Sequence, residues 1–265
     1  MSYFLKKLIR AHVIEHEIIW TSFFYFTIER DIKVTERVSD FWVECIDDRQ
    51  QIAVALRKGK SSDIFVFFQV FIRREYQVLL DFLEAEKIIP NIIIDAGANV
   101  GFFSLLLANE FSRAKIVSIE PEAGNVAQLL TNVGERLQHR IKVIEGALWT
   151  SRTRVSIQTN DSQEWGFSIA PGVTPRTVEA YTLADIFDAV SAQQIDLLKL
   201  DIEGTEGALF SDVKFQNLLG NVKVIAMEIH DHLVDRDEIH RVLHANFFNF
   251  FEKGELTVAW NYKLL

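Results

Sequence analysis

One stretch constrains this chain more than any other. Ile92-Ile93-Ile94-Asp95-Ala96-Gly97-Ala98-Asn99-Val100-Gly101 is an apolar run that ends in an acid and turns through two glycines. It leads directly into Phe102-Phe103-Ser104-Leu105-Leu106-Leu107-Ala108. A short, β-branched apolar run of this kind predicts a buried parallel strand, and the apolar stretch behind it predicts a helix. A glycine turn between the two leaves backbone N–H groups free at the helix start and allows a ligand close approach. Such a unit places a nucleotide-type site at the carboxyl edge of a sheet.

Glycine spacing narrows the ligand. Dinucleotide sites use G-x-G-x-x-G, whose middle glycine lets the backbone touch a pyrophosphate. Here the pattern is Gly97-x-x-x-Gly101, with Asn99 near the position of the middle glycine. Asp95, directly before the turn, would repel a pyrophosphate. A cofactor with a positive amino group and no phosphate suits the loop better, and S-adenosylmethionine (SAM) is one. A nucleotide-dependent oxidoreductase would need the tighter pattern. A turn without any ligand is the plain alternative.

The second strand, Lys115-Ile116-Val117-Ser118-Ile119-Glu120, ends in an acid 19 residues past Gly101. That offset suits a carboxylate accepting hydrogen bonds from two ribose hydroxyls. Ile141 to Leu148 reads as strand three, Asp196 to Gly204 as strand four and Val222 to His230 as strand five. Each is apolar through its body and ionisable at its carboxyl end, as a parallel sheet with a site along one edge requires.

The segments IIIDAGANVGFFSLLLA, IVSIEPE, VIEGALW, TLADIF, LLKLDIEGTEGALF and IAMEIH resemble, in order and spacing, the FkbM-type family of SAM-dependent methyltransferases. The resemblance runs from about Asn91 to His230, with a less distinctive lead-in at Asp63 to Tyr76. It implies a class I methyltransferase fold: α/β, Rossmann-like, with a seven-stranded, mostly parallel sheet and an antiparallel C-terminal hairpin. It also implies SAM as methyl donor and mostly O-methylation of hydroxyls on sugars, glycans, glycolipids or secondary metabolites. By position, Gly97, Ala98 and Gly101 would surround the methionine part, with Asn99 as a further polar contact or a turn stabiliser. Asp95 would reach the amino group, directly or through water, and Glu120 would hold the ribose. Glu145, Gly146, Ala147 and Leu148 would frame the adenine.

Transfer to an alcohol needs a base or a metal. Asp201, Glu203, Glu206, Glu228, His230 and His232 are available at the ends of strands four and five. His230 is the expected general base, because imidazole titrates near working pH, with Asp201 or Glu228 orienting it or the substrate. A divalent metal on Asp201, Glu228 and His230 is a rival, but no H-x-E-x-x-H or cysteine cluster supports it, and no metal is expected. His240 and His244 lie four apart on a predicted helix and read as a solvated face.

Composition sets limits. With 28 basic and 37 acidic residues the net charge is −9, which argues against a nucleic-acid partner. The single cysteine, Cys45, precludes an internal disulfide and fits a reducing, cytoplasmic setting. Met1 to Arg10 lacks the apolar core of a secretory signal. Ile18 to Ile28 is too short to span a bilayer; it suits core packing or dimerisation, with peripheral membrane contact as the alternative.

Two domains are expected. Residues 1–90 form an N-terminal α+β extension for acceptor binding or homodimerisation, and residues 91–265 form the methyltransferase domain. Within the extension, a helix is expected over His12 to Phe26, short strands over Ser39 to Ala55, and one or two helices over Asp63 to Lys87. Arg154 to Gln158 and Trp165 to Ala170 predict a hairpin after strand three, with Trp165 a candidate to cover the cofactor or line the acceptor pocket. Phe247 to Phe251 and Leu256 to Trp260 predict the closing hairpin. Other readings are an N-methyltransferase acting on a small molecule, and a non-catalytic partner protein that keeps the fold but not the site.

Overall fold

The structure is a computed structural model that describes residues 32–37, 40–46, 51–58, 61–159, 167–170 and 177–265. The expected helix over His12 to Phe26, the apolar stretch at Ile18 to Ile28 and the side chain of Trp165 lie outside the described residues. Two compact units divide at Phe67 and Phe68. No helix among the described residues is long and apolar enough to cross a membrane.

The first unit contains an antiparallel sheet of β1 (Lys33–Glu36), β2 (Asp40–Ile46) and β3 (Gln51–Arg57), followed by the short helix α1 (Asp63–Phe67). Val43 and Val54 face each other across β2 and β3, and both are fully buried. Asp63, also fully buried, receives Nε and Nη2 of Arg57 at 2.6–3.1 Å and the Arg57 backbone N–H at 2.8 Å. A buried carboxylate needs such a set of donors.

The second unit opens with a π-helical turn (Phe68–Ile72) and α2 (Gln77–Ala85). Alternating strands and helices follow: β4 (Ile92–Ala96), α3 (Phe102–Glu110), β5 (Lys115–Glu120), α4 (Ala123–Leu137) and β6 (Ile141–Glu145). Next come the short strands β7 (Ala147–Leu148), β8 (Thr153–Thr159), β9 (Phe167–Ala170) and β10 (Thr177–Tyr181). The chain then continues through α5 (Leu183–Val190), β11 (Ile195–Leu200), α6 (Glu206–Ser211), α7 (Val213–Leu219) and β12 (Val222–Glu228). It ends with α8 (Arg236–Ala245), β13 (Phe248–Lys253) and β14 (Leu256–Asn261).

The main sheet has seven strands in the order β13-β14-β12-β11-β4-β5-β6. β12, β11, β4, β5 and β6 pair in parallel, and β14 is antiparallel to both its neighbours. The closing hairpin therefore inserts its second strand between β12 and β13, so the edge strand β13 runs with the parallel set. This is the class I methyltransferase arrangement, with strand order reversing between β4 and β11. That switch point opens a crevice at the carboxyl edge.

Sequence explains these elements locally. Phe102 to Ala108 is buried on every side, consistent with a helix that has no solvated face. On α4, Val126, Leu129, Val133 and Leu137 recur at helical spacing and are buried. Thr182 and Asp185 form a reciprocal capping box that starts α5. At the amino edge of the sheet, Asp196 accepts the N–H groups of Asn91 and Ile92 at 2.8 and 3.0 Å and pairs with Lys223 at 2.7 Å. This fastens β4 to β11 on the side away from the crevice.

Strand three differs from its expected form. It stops at Glu145, and Gly146 turns the chain into a second sheet, β7-β10-β8-β9. A Cβ on Gly146 would lie 2.6 Å from the Tyr181 ring and 2.7 Å from the Glu179 carbonyl, so only glycine passes there. The hairpin β8–β9 forms as expected, and β10 completes its sheet over a small core of Ala147, Val155, Ile157, Val178 and Ala180.

Candidate active site

The turn after β4 is closed by its own hydrogen bonds. The N–H groups of Gly97 and Ala98 both donate to the Ile119 carbonyl at 3.0 Å, and that of Gly101 donates to the Ala98 carbonyl at 2.8 Å. Asn99 donates its N–H to Glu120 Oε2 at 2.8 Å, while its side-chain oxygen accepts from Val100 at 2.8 Å. The N–H groups of residues 97–101 are thus taken up within the protein, ahead of the helix that starts at Phe102. Gly97 has φ +78°, and a Cβ there would sit 1.7 Å from the Asp201 carbonyl oxygen. Glycine at this position lets the β4 and β11 ends close together, where the Asp201 N–H donates to Ala96 O at 3.1 Å.

Asp95 is the fourth residue of β4. It is fully buried; Oδ2 accepts from Ser104 Oγ at 2.6 Å, and Oδ1 lies 3.4 Å from Lys199 Nζ. This carboxylate is engaged beneath the turn by Ser104 and Lys199; its expected reach to a cofactor amino group was direct or through water.

Glu120 ends β5 beside that turn and is nearly enclosed. Its Oε1 accepts from Glu122 N at 2.9 Å and Asn125 Nδ2 at 3.3 Å, and among the described residues Oε2 accepts only from Asn99 N. A carboxylate oxygen takes two such bonds, so Oε2 keeps one acceptor position for a hydroxyl. Burial raises the Glu120 pKa to about 7, although its N–H donors act in the opposite direction. Glu145 lies opposite Glu120 in the β5–β6 register and is exposed. Gly146 donates its N–H to the Glu120 carbonyl at 3.0 Å, and Ala147 is buried in the second sheet.

Across the switch point, acids gather on one imidazole. β11 ends at Leu200, so Glu203 lies in a turn with φ +55° rather than on the strand beside Asp201. The turn still brings both carboxylates to His230: Nε2 is 3.4 Å from Glu203 Oε2 and 4.0 Å from Asp201 Oδ1. Nδ1 is 2.9 Å from Glu206 Oε1, and Glu206 is fully buried at the start of α6. The hydrogen-bonding partner of His230 is thus Glu206, a residue not chosen for that place; Asp201 or Glu228 was expected to orient His230 or the substrate. Glu206 Oε1 also accepts the Ile202 N–H at 3.3 Å, so the local turn aims it.

The charges respond to this crowding. Burial alone would lower the His230 pKa, but the Glu206 hydrogen bond and the charges of Glu206, Glu203 and Asp201 raise it to about 9. Burial, reinforced by Asp201, raises Glu203 to about 7 and Glu228 to about 8. Raised carboxylates hold their protons into the neutral range, so Glu203 and Glu228 share the crowded site with Asp201 without all being charged at once.

Among the described residues, Asp201, Glu203 and His230 bring ligand atoms within 4.8 Å of one another, with Glu203 where the rival metal reading had Glu228. When protonated, His230 would supply the cation between those two acids. His240 and His244 are not merely a solvated face: their rings lie 4.2 and 5.1 Å from that of Phe250.

Residues 95–254, more than half of the chain, match the methyltransferase FkbM domain. The chain belongs to this family. No curated protein matches it. Similar solved structures include magnesium protoporphyrin IX methyltransferase (ChlM) from Synechocystis PCC 6803 with bound SAM. It is 14% identical, with a TM-score of 0.45, and the match covers 77% of this chain and 86% of that one. The N-terminal domain of human METTL16 in complex with SAH is 12% identical, with a TM-score of 0.45, over 94% and 83% of the two chains. StiE O-MT residues 942-1257, at 14% identity and TM-score 0.40, match 68% of this chain, which spans 52% of that structure.

Within the FkbM domain, sequence reasoning did not single out Lys199, although it lies two residues before Asp201, next to last on β11. Tyr76, from the preceding segment, was also missed. It is buried with its ring 4.5 Å from that of Phe103, and burial holds its phenol well above the ordinary range.

Proposed function

We propose that this chain is a SAM-dependent O-methyltransferase acting on a hydroxyl of a sugar, glycan, glycolipid or secondary metabolite. The observation that carries the reading is the convergence of Glu206, Glu203 and Asp201 on His230 at the switch point, beside the Gly97 turn. Family membership supports methyl transfer, and the Gly97-x-x-x-Gly101 spacing supports SAM over a dinucleotide. Gly97, Ala98, Asn99 and Gly101 would hold the methionine part. Glu120 would accept a ribose hydroxyl through Oε2, and Glu145, Gly146 and Ala147 would border the adenine.

SAM supplies an already activated methyl group on a positive sulfur. The chain's work is to align the acceptor oxygen and take its proton. His230 is the proposed base. Glu206 holds its Nδ1 and leaves Nε2 toward the acids at the rim. His230 must be neutral to accept a proton. Its high affinity comes from Glu206, Glu203 and Asp201, so positive charge brought to those carboxylates makes the base available. Asp201 and Glu228 are proposed to hold the acceptor hydroxyl in line.

The extension over residues 1–90 is proposed to bind acceptor or to pair two copies, and the enzyme to work in the cytoplasm. A second reading, N-methylation of a small amine, is favoured by the surplus of acid at Asp201, Glu203 and Glu228. The test is transfer of a labelled methyl group from SAM to fractionated sugars, glycolipids and amines by wild type and His230→Ala. Label in a hydroxyl acceptor that depends on His230 supports the proposal. Label only in amines moves the second reading to first place.

A further inference from the structure

Every position of β11 is buried, and Lys199 stands in it as an ammonium with 4% of its side-chain surface exposed. An apolar residue would satisfy the packing of such a strand at less desolvation cost. The geometry around Nζ indicates what the charge does. It donates to the Gly97 carbonyl at 2.7 Å and lies 3.4 Å from Asp95 Oδ1 and 3.3 Å from Asp201 Oδ2. The face of Phe103 lies below, 5.8 Å from Nζ to the ring centroid. Asp95 is itself anchored, since Oδ2 accepts from Ser104 Oγ, which is 2.7 Å from Ser118 Oγ. A chain of buried polar groups thus runs from β5 beneath the turn, through Asp95 and Lys199, to Asp201 at the rim.

Two of the four bodies tied by Lys199 belong to the proposed site. Gly97 is the left-handed hinge of the cofactor turn, and Asp201 is one of the acids on His230. Asp95 Oδ1 is buried and has no hydrogen-bond partner among the described residues, and Lys199 Nζ at 3.4 Å is the cation that balances it. Without the ammonium, a buried anion, a free carbonyl and the rim acid would all lose their common partner.

We propose that Lys199 is a positioning residue that fixes the Gly97 carbonyl and Asp201 relative to each other, and so shapes the turn end that receives the methionine part of the cofactor. This rests on the SAM reading above. It assigns no contact with the reacting methyl group. It requires the effect of Lys199 to fall on one end of the cofactor, because the adenosine end is assigned to Glu120 and the segment after β6, on the other side of the turn.

The test is calorimetric titration of wild type, Lys199→Met and the double variant Lys199→Met/Asp95→Asn with two probes. S-adenosylhomocysteine carries the amino-acid end, and 5′-methylthioadenosine lacks it. The expected result is a loss of roughly 30-fold in S-adenosylhomocysteine affinity in the variants, with a change of less than about threefold for methylthioadenosine. The double variant removes both buried charges, so it retains the fold where the single variant leaves Asp95 unpaired. Equal losses for both probes, or no loss for either, would overturn the positioning role while leaving the cofactor reading intact. Unfolding of both variants would make Lys199 a stability element and overturn the proposal as well. Failure of wild type to bind either probe would overturn the cofactor reading and the proposal with it.

Discussion

Glu206 Oε1 stands 2.9 Å from His230 Nδ1, and the Glu206 side chain is closed off from solvent. A buried carboxylate on one ring nitrogen fixes the orientation of the imidazole and strengthens its hold on a proton. Glu206→Gln keeps the shape and removes the charge. The His230 titration midpoint, followed by NMR, is expected to fall from about 9 by one unit or more. A midpoint that stays in place would mean that Glu203 and Asp201 alone set it.

Stability is expected to fall as pH rises from 5 to 9. Glu120, Glu203, Glu228 and His230 all bind their protons more tightly in the folded chain than in the unfolded one. The stability each contributes is complete below its unfolded pKa and is lost as pH rises through the folded value, near 7 for the first two, 8 for Glu228 and 9 for His230. For the enclosed Glu120 alone the change is about 3 kcal/mol. Urea denaturation at pH 5.5, 7 and 9 measures it, and Glu120→Gln should flatten the step between pH 5 and 7. A protein most stable at pH 9 would refute this charge account.

Gly97→Ala is expected to cost more than about 3 kcal/mol, because it combines a positive φ with a Cβ driven into the Asp201 carbonyl. Gly134→Ala makes a useful control. That residue also has positive φ, with ψ −173°, but its added Cβ meets no atom within 4 Å beyond its own chain neighbours, so only the backbone strain of about 1 to 3 kcal/mol is expected, without the clash. Paired thermal melts decide the matter, and equal losses would show that the close approach at Gly97 is relieved cheaply.

His230→Ala is expected to leave S-adenosylhomocysteine affinity within about threefold and to reduce methyl transfer by roughly 10² to 10⁴. Binding calorimetry and single-turnover transfer separate the two effects. If affinity and transfer fall together, His230 shapes the cofactor site and is not the base.

Much of this molecule was legible in its sequence, for physical reasons. Ile92–Ala96 and Ile195–Leu200 lie in the middle of a parallel sheet, so both faces had to be apolar and the runs stood out. The hairpin of Phe248–Lys253 and Leu256–Asn261 shows itself through the Gly254 turn between two aromatic-rich runs. Thr177–Tyr181 was not legible as a strand. It is five residues long and pairs with Ala147–Leu148 and Thr153–Thr159, contacts that no local pattern announces. The break at Gly146 was hidden for the same reason, since the obstacle there is Tyr181, far along the chain.

Side-chain partners were harder to foresee than strands. The partners of Asp95 were not visible in the sequence, because Lys199 meets it only through the pairing of β4 with β11. Glu206 and His230 are 24 positions apart and meet only because β11 and β12 are neighbours.

The central claim is that this site binds SAM. Its most direct test is calorimetric titration of S-adenosylhomocysteine into wild type and Glu120→Ala, with circular dichroism to show that both are folded. The account predicts micromolar binding to wild type, weakened about 10- to 100-fold when the Glu120 carboxylate is removed. A folded wild-type protein that binds no S-adenosylhomocysteine would contradict it and leave a methyltransferase fold serving as a partner protein.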